Sequence, residues 1–218
     1  MRGTLEYLSD VKGDCADDIN LDLISSDIEK KFVSWTKVLE DTVSHLNQSL
    51  KYYKVILRKH WSKSKLFSEY NCFFSNYMYT SCVAMTMDIG KLCSDENDLS
   101  LNKYNKFCFD NATTIFKHNI DGLYVNNQKN VSKLIKNYKD LIMTPRNKIY
   151  GHNGSMQLET SSVDEAVNRV SISNLIQFAT LSKSVLFETW KVYNNHSLCF
   201  EYKDSEDFKK LIDLIENS

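Results

Sequence analysis

A chain of 218 residues, 42% hydrophobic and 12% aromatic, can bury a core of its own, and its length suits one domain with at most an extension. Six Gly and one Pro are too few breakers for an all-β fold of many turns and point to long helices. A net charge of −1 excludes a global basic field, so any nucleic-acid contact must run through a local patch.

Residues 1–24 form an acidic lead-in with Asp10, Asp14, Asp17, Asp18 and Asp22 and no apolar period. An arm or short helix outside the core is expected, with the folded domain over 25–218. The same stretch lacks the apolar centre of a signal peptide. Ser25-Ser26-Asp27 offers a helix cap. From Ile28 through Phe32, Trp35, Leu39, Val43, Leu46, Leu50 and Tyr53 to Leu57, apolar residues recur every three or four positions. One long amphipathic helix follows from that spacing, with Asn47 as its candidate break. Its far end is basic, from Lys51 to Lys65. Such a run is a solvated face unless a phosphate backbone lies on it.

From Lys65 to Leu92 the apolar residues fill most faces of a second helix, which is expected to be the buried centre of the bundle. Ser100 is a cap for a short helix reaching about Phe107. Residues 111–126 carry no clear period, and Asp121-Gly122 and Asn126-Asn127 read as turns. Val131, Leu134, Ile135, Tyr138 and Ile142 define another helix, with Lys129, Lys133 and Lys136 on its other side. Thr144-Pro145 either kinks that helix or starts a new one. A loop over 153–162 leads to Ser162-Val-Asp-Glu165, a capping box. Ile172, Ile176, Ala179, Leu186, Trp190 and Tyr193 mark the last long helix. A short extended piece over 198–202 and a small helix over 205–217 close the chain. The fold class is all-α, an up-and-down helical bundle with extra short helices.

The six cysteines form no C-x-x-C pair and match neither a zinc site nor a disulfide scaffold. Cys72, Cys82 and Cys93 lie about three turns apart on one apolar stretch, as buried free thiols of a reducing compartment would. No run approaches the ~20 apolar residues that span a bilayer, so a cytoplasmic protein without a membrane partner is expected. No two histidines stand four apart, and neither H-E-x-x-H nor a Gly-rich phosphate loop occurs. No metal and no cofactor is expected.

One stretch concentrates chemistry: Arg146-Asn147-Lys148-Ile149-Tyr150-Gly151-His152. A guanidinium grips a phosphate through two parallel hydrogen bonds. An imidazole moves protons near neutral pH. Together they are a minimal kit for cutting a phosphodiester without metal. The structural alternative is a helix end, where basic residues meet the negative pole and Asn153-Gly154 stops the helix.

Arg146-Asn147-Lys148, three further residues and His152 resemble the Arg–polar–spacer–His ribonuclease motif of the HEPN superfamily, most closely its AbiU-like abortive-infection branch. Met85 to Ser94, followed by Leu99-Ser-Leu101, resembles the stretch where such proteins leave their central helix for a short one. The resemblance covers about residues 30–217. It implies a helical bundle that pairs as a homodimer and cuts RNA in a cleft at the two-fold axis. It also implies catalytic roles for Arg146, His152 and Asn147, with weaker substrate-binding roles for Lys148 and Tyr150. The setting it implies is a toxin or antiviral effector, with an antitoxin protein as a further partner. Pro145 directly before Arg146 departs from the pattern, and Gly154 stands where one branch carries a modified Tyr. Positions six apart on a regular helix diverge by about 120°, so two copies across an axis would supply groups that one copy cannot bring together. The alternative function is a non-catalytic helical module that binds protein or nucleic acid.

Overall fold

The computed structural model describes residues 24, 26–61, 71–94, 97–143, 171–194, 198 and 210, with the side chains of 58–61 and 71 outside that description. Nearly all of these residues are helical. The elements are α1 (Asp27–Trp61), α2 (Asn71–Cys93), α3 (Leu101–Asp110), α4 (Ala112–Ile115), α5 (Asp121–Asn137) and α6 (Ile172–Asn194). A π-helical turn, Tyr138–Ile142, continues α5. The all-α expectation holds. The acidic lead-in, the Thr144-Pro145 junction, the Ser162–Glu165 box and nearly all of the C-terminal segment lie outside the described residues.

α1 starts where the cap signal stands. Ser26 Oγ accepts the Glu29 amide at 3.4 Å, and Asp27 and Glu29 face the positive helix pole in the first turn. The helix then runs unbroken for 35 residues, about 50 Å, so Asn47 does not interrupt it. Phe32, Leu39, Val43, Leu46 and Leu50 bury the predicted stripe. α2 runs antiparallel along α1, as shown by His45 meeting Asp88 and Tyr53 meeting Cys82. α6 is antiparallel to both α1 and α5. Tyr193 donates to Glu29 while Trp190 stacks near Phe32, and Asn127 and Asn137 reach Thr189 and Gln177.

The second helix corrects an expectation. It is not buried all round. Its C-terminal half is in the core through Met85, Ile89, Leu92 and Cys93, but Phe73 is 62% exposed and Cys72 is exposed too. The three cysteines expected to be buried therefore divide into exposed Cys72, half-buried Cys82 and buried Cys93. Hydrophobic on most sides, this segment has more apolar surface than its neighbours cover.

Ser100 caps α3 as expected, accepting the Lys103 amide at 3.4 Å. The Asp121-Gly122 and Asn126-Asn127 turn signals are overruled, because α5 passes through all four residues. Asn119 Oδ1 accepts the Asp121 amide at 2.8 Å and starts the helix in place of a turn. Asn127 is held in the helix by its buried bond to Thr189 Oγ1, 3.0 Å. Tertiary partners outweigh the local preference of Asn for turns.

The core centres on Phe32. Its ring lies 5.9 Å from Tyr104, 5.5 Å from Phe116, 6.1 Å from Trp190 and 4.9 Å from Tyr193. Thr36, one turn on, bonds the Tyr104 hydroxyl at 2.8 Å. Burial drives the Tyr104 phenol and the neighbouring Cys108 thiol well above their ordinary ranges, so both stay neutral.

Phe32→Ala should destabilise the fold by about 3–5 kcal/mol, the cost of emptying a packed aromatic site. Chemical denaturation read by circular dichroism checks this, and a loss near zero would remove Phe32 from the centre of the core. Gly122 should respond in the opposite sense. A Cβ there meets nothing within 4 Å, so Gly122→Ala should stabilise by about 0.5–1 kcal/mol.

Candidate functional site

Arg146, Asn147, Lys148, Tyr150 and His152 lie outside the described residues. Their approach is described. α5 passes into the π-helical turn, whose Tyr138 and Ile142 are buried, and Met143, still helical, is the last described residue before the motif. A π turn takes one more residue per loop than an α turn, and such turns recur at functional positions. This one packs against α2, while Asn137 Nδ2 donates to Gln177 Oε1 at 2.6 Å and ties α5 to the start of α6. Arg146 follows Met143 by three positions. The antiparallel pairings bring the second half of α1, with its basic tract, and the first half of α2 to this same end of the bundle. Lys129, Lys133 and Lys136 are all exposed on α5.

A second constellation was not singled out from sequence. Asp88 is the only acid of α2, and its side chain is 3% exposed. Burying a carboxylate is costly unless partners satisfy its oxygens. Two side chains do this. His45 Nδ1 lies 2.5 Å from Asp88 Oδ2, and Lys91 Nζ donates to Oδ1 at 3.2 Å. The His45 side chain is 52% exposed, and Lys91 is 62% exposed. With Nδ1–H donated to the carboxylate, Nε2 is the ring's remaining polar atom. An imidazole oriented in this way can exchange a proton or meet a ligand through Nε2. The sequence signal was available: a lone Asp in the apolar run Met85-Thr-Met-Asp-Ile needs a partner from a neighbouring helix. Which residue supplies it is decided by the register of α1 on α2. Among the described residues, no three or more His, Cys, Asp or Glu side chains gather as a metal site would require. No described helix is long and apolar enough to cross a membrane.

His45→Ala should cost about 1.5–3 kcal/mol, the range for a hydrogen bond to a charged group, despite the exposure of the ring. In an Asp88→Ala background the same change should cost almost nothing. Denaturation of both single variants and the double variant gives the coupling. Additive losses would show that the His45–Asp88 contact carries no stability of its own.

Comparison of the chain with protein-family models, with curated proteins and with solved structures gives no match, so a functional reading rests on the chemistry of its own residues.

Proposed function

We propose that this protein is a metal-independent endoribonuclease of the HEPN type, working as a homodimer in antiviral or abortive-infection defence. The observation that carries the reading is the Arg146–His152 pair, with Asn147 beside the arginine, in a chain whose described residues form an all-α bundle. Its place agrees, a few residues beyond a buried π turn and ahead of the last long helix. The exposed lysines of α5 offer local charge in a chain of net charge −1.

In this mechanism one His152 takes the proton of a ribose 2′-hydroxyl, and the 2′ oxygen attacks the adjacent phosphorus. The bond from phosphorus to the 5′ oxygen breaks, and the His152 of the second copy protonates that oxygen. The products are a 2′,3′-cyclic phosphate and a 5′-hydroxyl, with no external oxidant or water consumed in the step. Arg146 holds the phosphate and the charge that builds on its equatorial oxygens. Asn147 orients Arg146 or the substrate, while Lys148 and Tyr150 contact the substrate. A toxin of this kind would have an antitoxin protein as partner and act in the cytoplasm.

A non-catalytic binding module is the second reading, favoured by the apolar side chains that α2 leaves in solvent.

Single-stranded RNA should be cut by purified protein in the presence of chelator. His152→Ala and Arg146→Ala should each lower the rate by about 100-fold or more. As helix-end residues alone they would cost about 0.3–1 kcal/mol of stability and leave activity in place. Melting curves paired with cleavage assays separate the two cases. Wild-type rates in either folded variant would remove these residues from the mechanism, and a wild-type protein that cuts no RNA would establish the binding module instead.

A further inference from the structure

α2 has two faces that could pack, and the bundle uses one. Phe74, Met85, Ile89 and Leu92 are buried. On the other side stand Phe73, Thr80 and Met87, seven residues apart, with Asn76, Tyr77, Val83 and Ala84 between them. At about 100° per residue, all seven fall within about 60° of Thr80. This is the a, d and e spacing of a heptad seam, along which helices pair. None of the seven is buried, and Phe73 and Met87 at the two ends are fully in the exposed class. From Phe73 to Met87 the seam runs about 21 Å along the helix.

Charge and symmetry together tell what fits there. α1 and α5 present Lys31, Asp41, Lys51, Lys129 and Lys133 to solvent. On α2 no charged residue of either sign occurs from Asn71 through Met87. A charged ligand has nothing to meet on such a face. An exposed surface without charges, rich in aromatic and Met side chains, has the composition of a protein interface core. A two-fold interface sets a further condition: what lies before the axis must fit what lies equally far after it. Thr80 on the axis, with α2 antiparallel to its copy, meets that condition. Phe73 then faces Met87, an aromatic ring against a flexible thioether. Tyr77 faces Val83 and Asn76 faces Ala84, each a larger side chain against a smaller one. The polar groups at the centre are already satisfied. Thr80 Oγ1 donates to the Asn76 carbonyl at 2.9 Å, and the Tyr77 hydroxyl is hydrogen-bonded to the Ser81 side chain. Covering the seam therefore strands neither hydroxyl.

We infer that α2 pairs through this uncharged seam with the α2 of a second copy of the chain, antiparallel and centred on Thr80. The need for two copies rests on the ribonuclease reading; the choice of surface rests on the seam alone. One helix against one helix is a small contact, so the dimer it forms is reversible and depends on concentration. The π turn that leads to Arg146 packs against α2, so the seam joins the copies through the helix on which that turn rests.

The test uses the full chain. Sedimentation over a range of concentrations should show a monomer–dimer equilibrium. Phe73→Ala should weaken the dimer roughly five-fold or more, as loss of an aromatic anchor does. Thr80→Glu sets two carboxylates against each other on the axis and should weaken it about ten-fold or more, less at high salt. Both side chains are exposed, so melting curves should stay close to wild type in dilute protein. Register is read by oxidation in a Cys72→Ser background. Thr80→Cys should link to its own copy. Phe73→Cys should not, because its two copies stand about 21 Å apart along the axis, but it should link to Met87→Cys in a mixture. A wild-type chain that stays monomeric at high micromolar concentration overturns the inference and leaves the seam to a different protein. So does a dimer that neither Phe73→Ala nor Thr80→Glu weakens, or one in which Phe73→Cys links to itself and Thr80→Cys does not. Cleavage of RNA in chelator is read on the same preparations. A dimer that depends on the seam but cuts nothing keeps the interface and removes the nuclease, and cleavage by a chain that never dimerises does the reverse.

Discussion

The Phe32 ring holds this bundle together. It sits at zero exposure in the first half of α1 and touches one aromatic ring from α3, one from the end of α4 and two from α6. Three separate parts of the chain are tied to α1 at one point. Large flat side chains bury much area for few rotatable bonds, so the gain from excluding water is little reduced by lost entropy. The other pairings take their register from this point. Once Trp190 and Tyr193 lie against Phe32, Tyr193 can reach Glu29, and the α6 stripe from Leu175 to Leu186 is turned inward.

Polar contacts then choose among the alignments that apolar packing tolerates. Hydrogen bonds from Asn127 to Thr189 (3.0 Å) and from Asn137 to Gln177 (2.6 Å) pin α5 on α6 at two levels. His45 with Asp88 pins α2 on α1. A slip of one turn would take His45 away from Asp88 and leave the buried acid only Lys91 of its own helix, at a cost in lost pairing. Satisfaction is incomplete elsewhere. Trp190 Nε1, Ser182 Oγ and Asn127 Oδ1 are buried with no hydrogen-bond partner. Each such group costs about 1–3 kcal/mol, so the aromatic cluster is paid for in part by the buried indole N–H at its edge.

The same packing makes the two ends of the bundle unlike. The end holding Phe32 and Trp190 is closed by aromatic contacts. Towards the other end lie the basic second half of α1, the exposed face of α2 and the π turn that leads to Arg146. α2 joins the two regions. Its last three turns reach the core through Met85, Ile89 and Leu92, with Met87 and Lys91 on their outer side, while Phe73 near its start stands in solvent. A helix with apolar residues on most faces can serve both purposes because each turn is covered only by what the neighbouring helices reach.

What the sequence determined by itself was the class of fold and the helix faces that follow from spacing. The three-and-four step of Phe32, Leu39, Val43, Leu46 and Leu50 allows only one buried face, whatever packs on it. The caps at Ser26 and Ser100 were legible because a side-chain oxygen satisfies an amide within three residues. The Arg146–His152 motif was legible as an arrangement of residue types, and it remains a matter of sequence, since those residues lie outside the described ones. The tertiary structure alone decided three things. It made Asn127 helical, because a partner 62 positions away outweighs a local turn preference. It joined His45 to Asp88 across 43 positions, because only the α1–α2 register says which side chain meets a buried acid. It also left Phe73 in solvent, because apolar composition records what a helix could bury and not how far its neighbours extend.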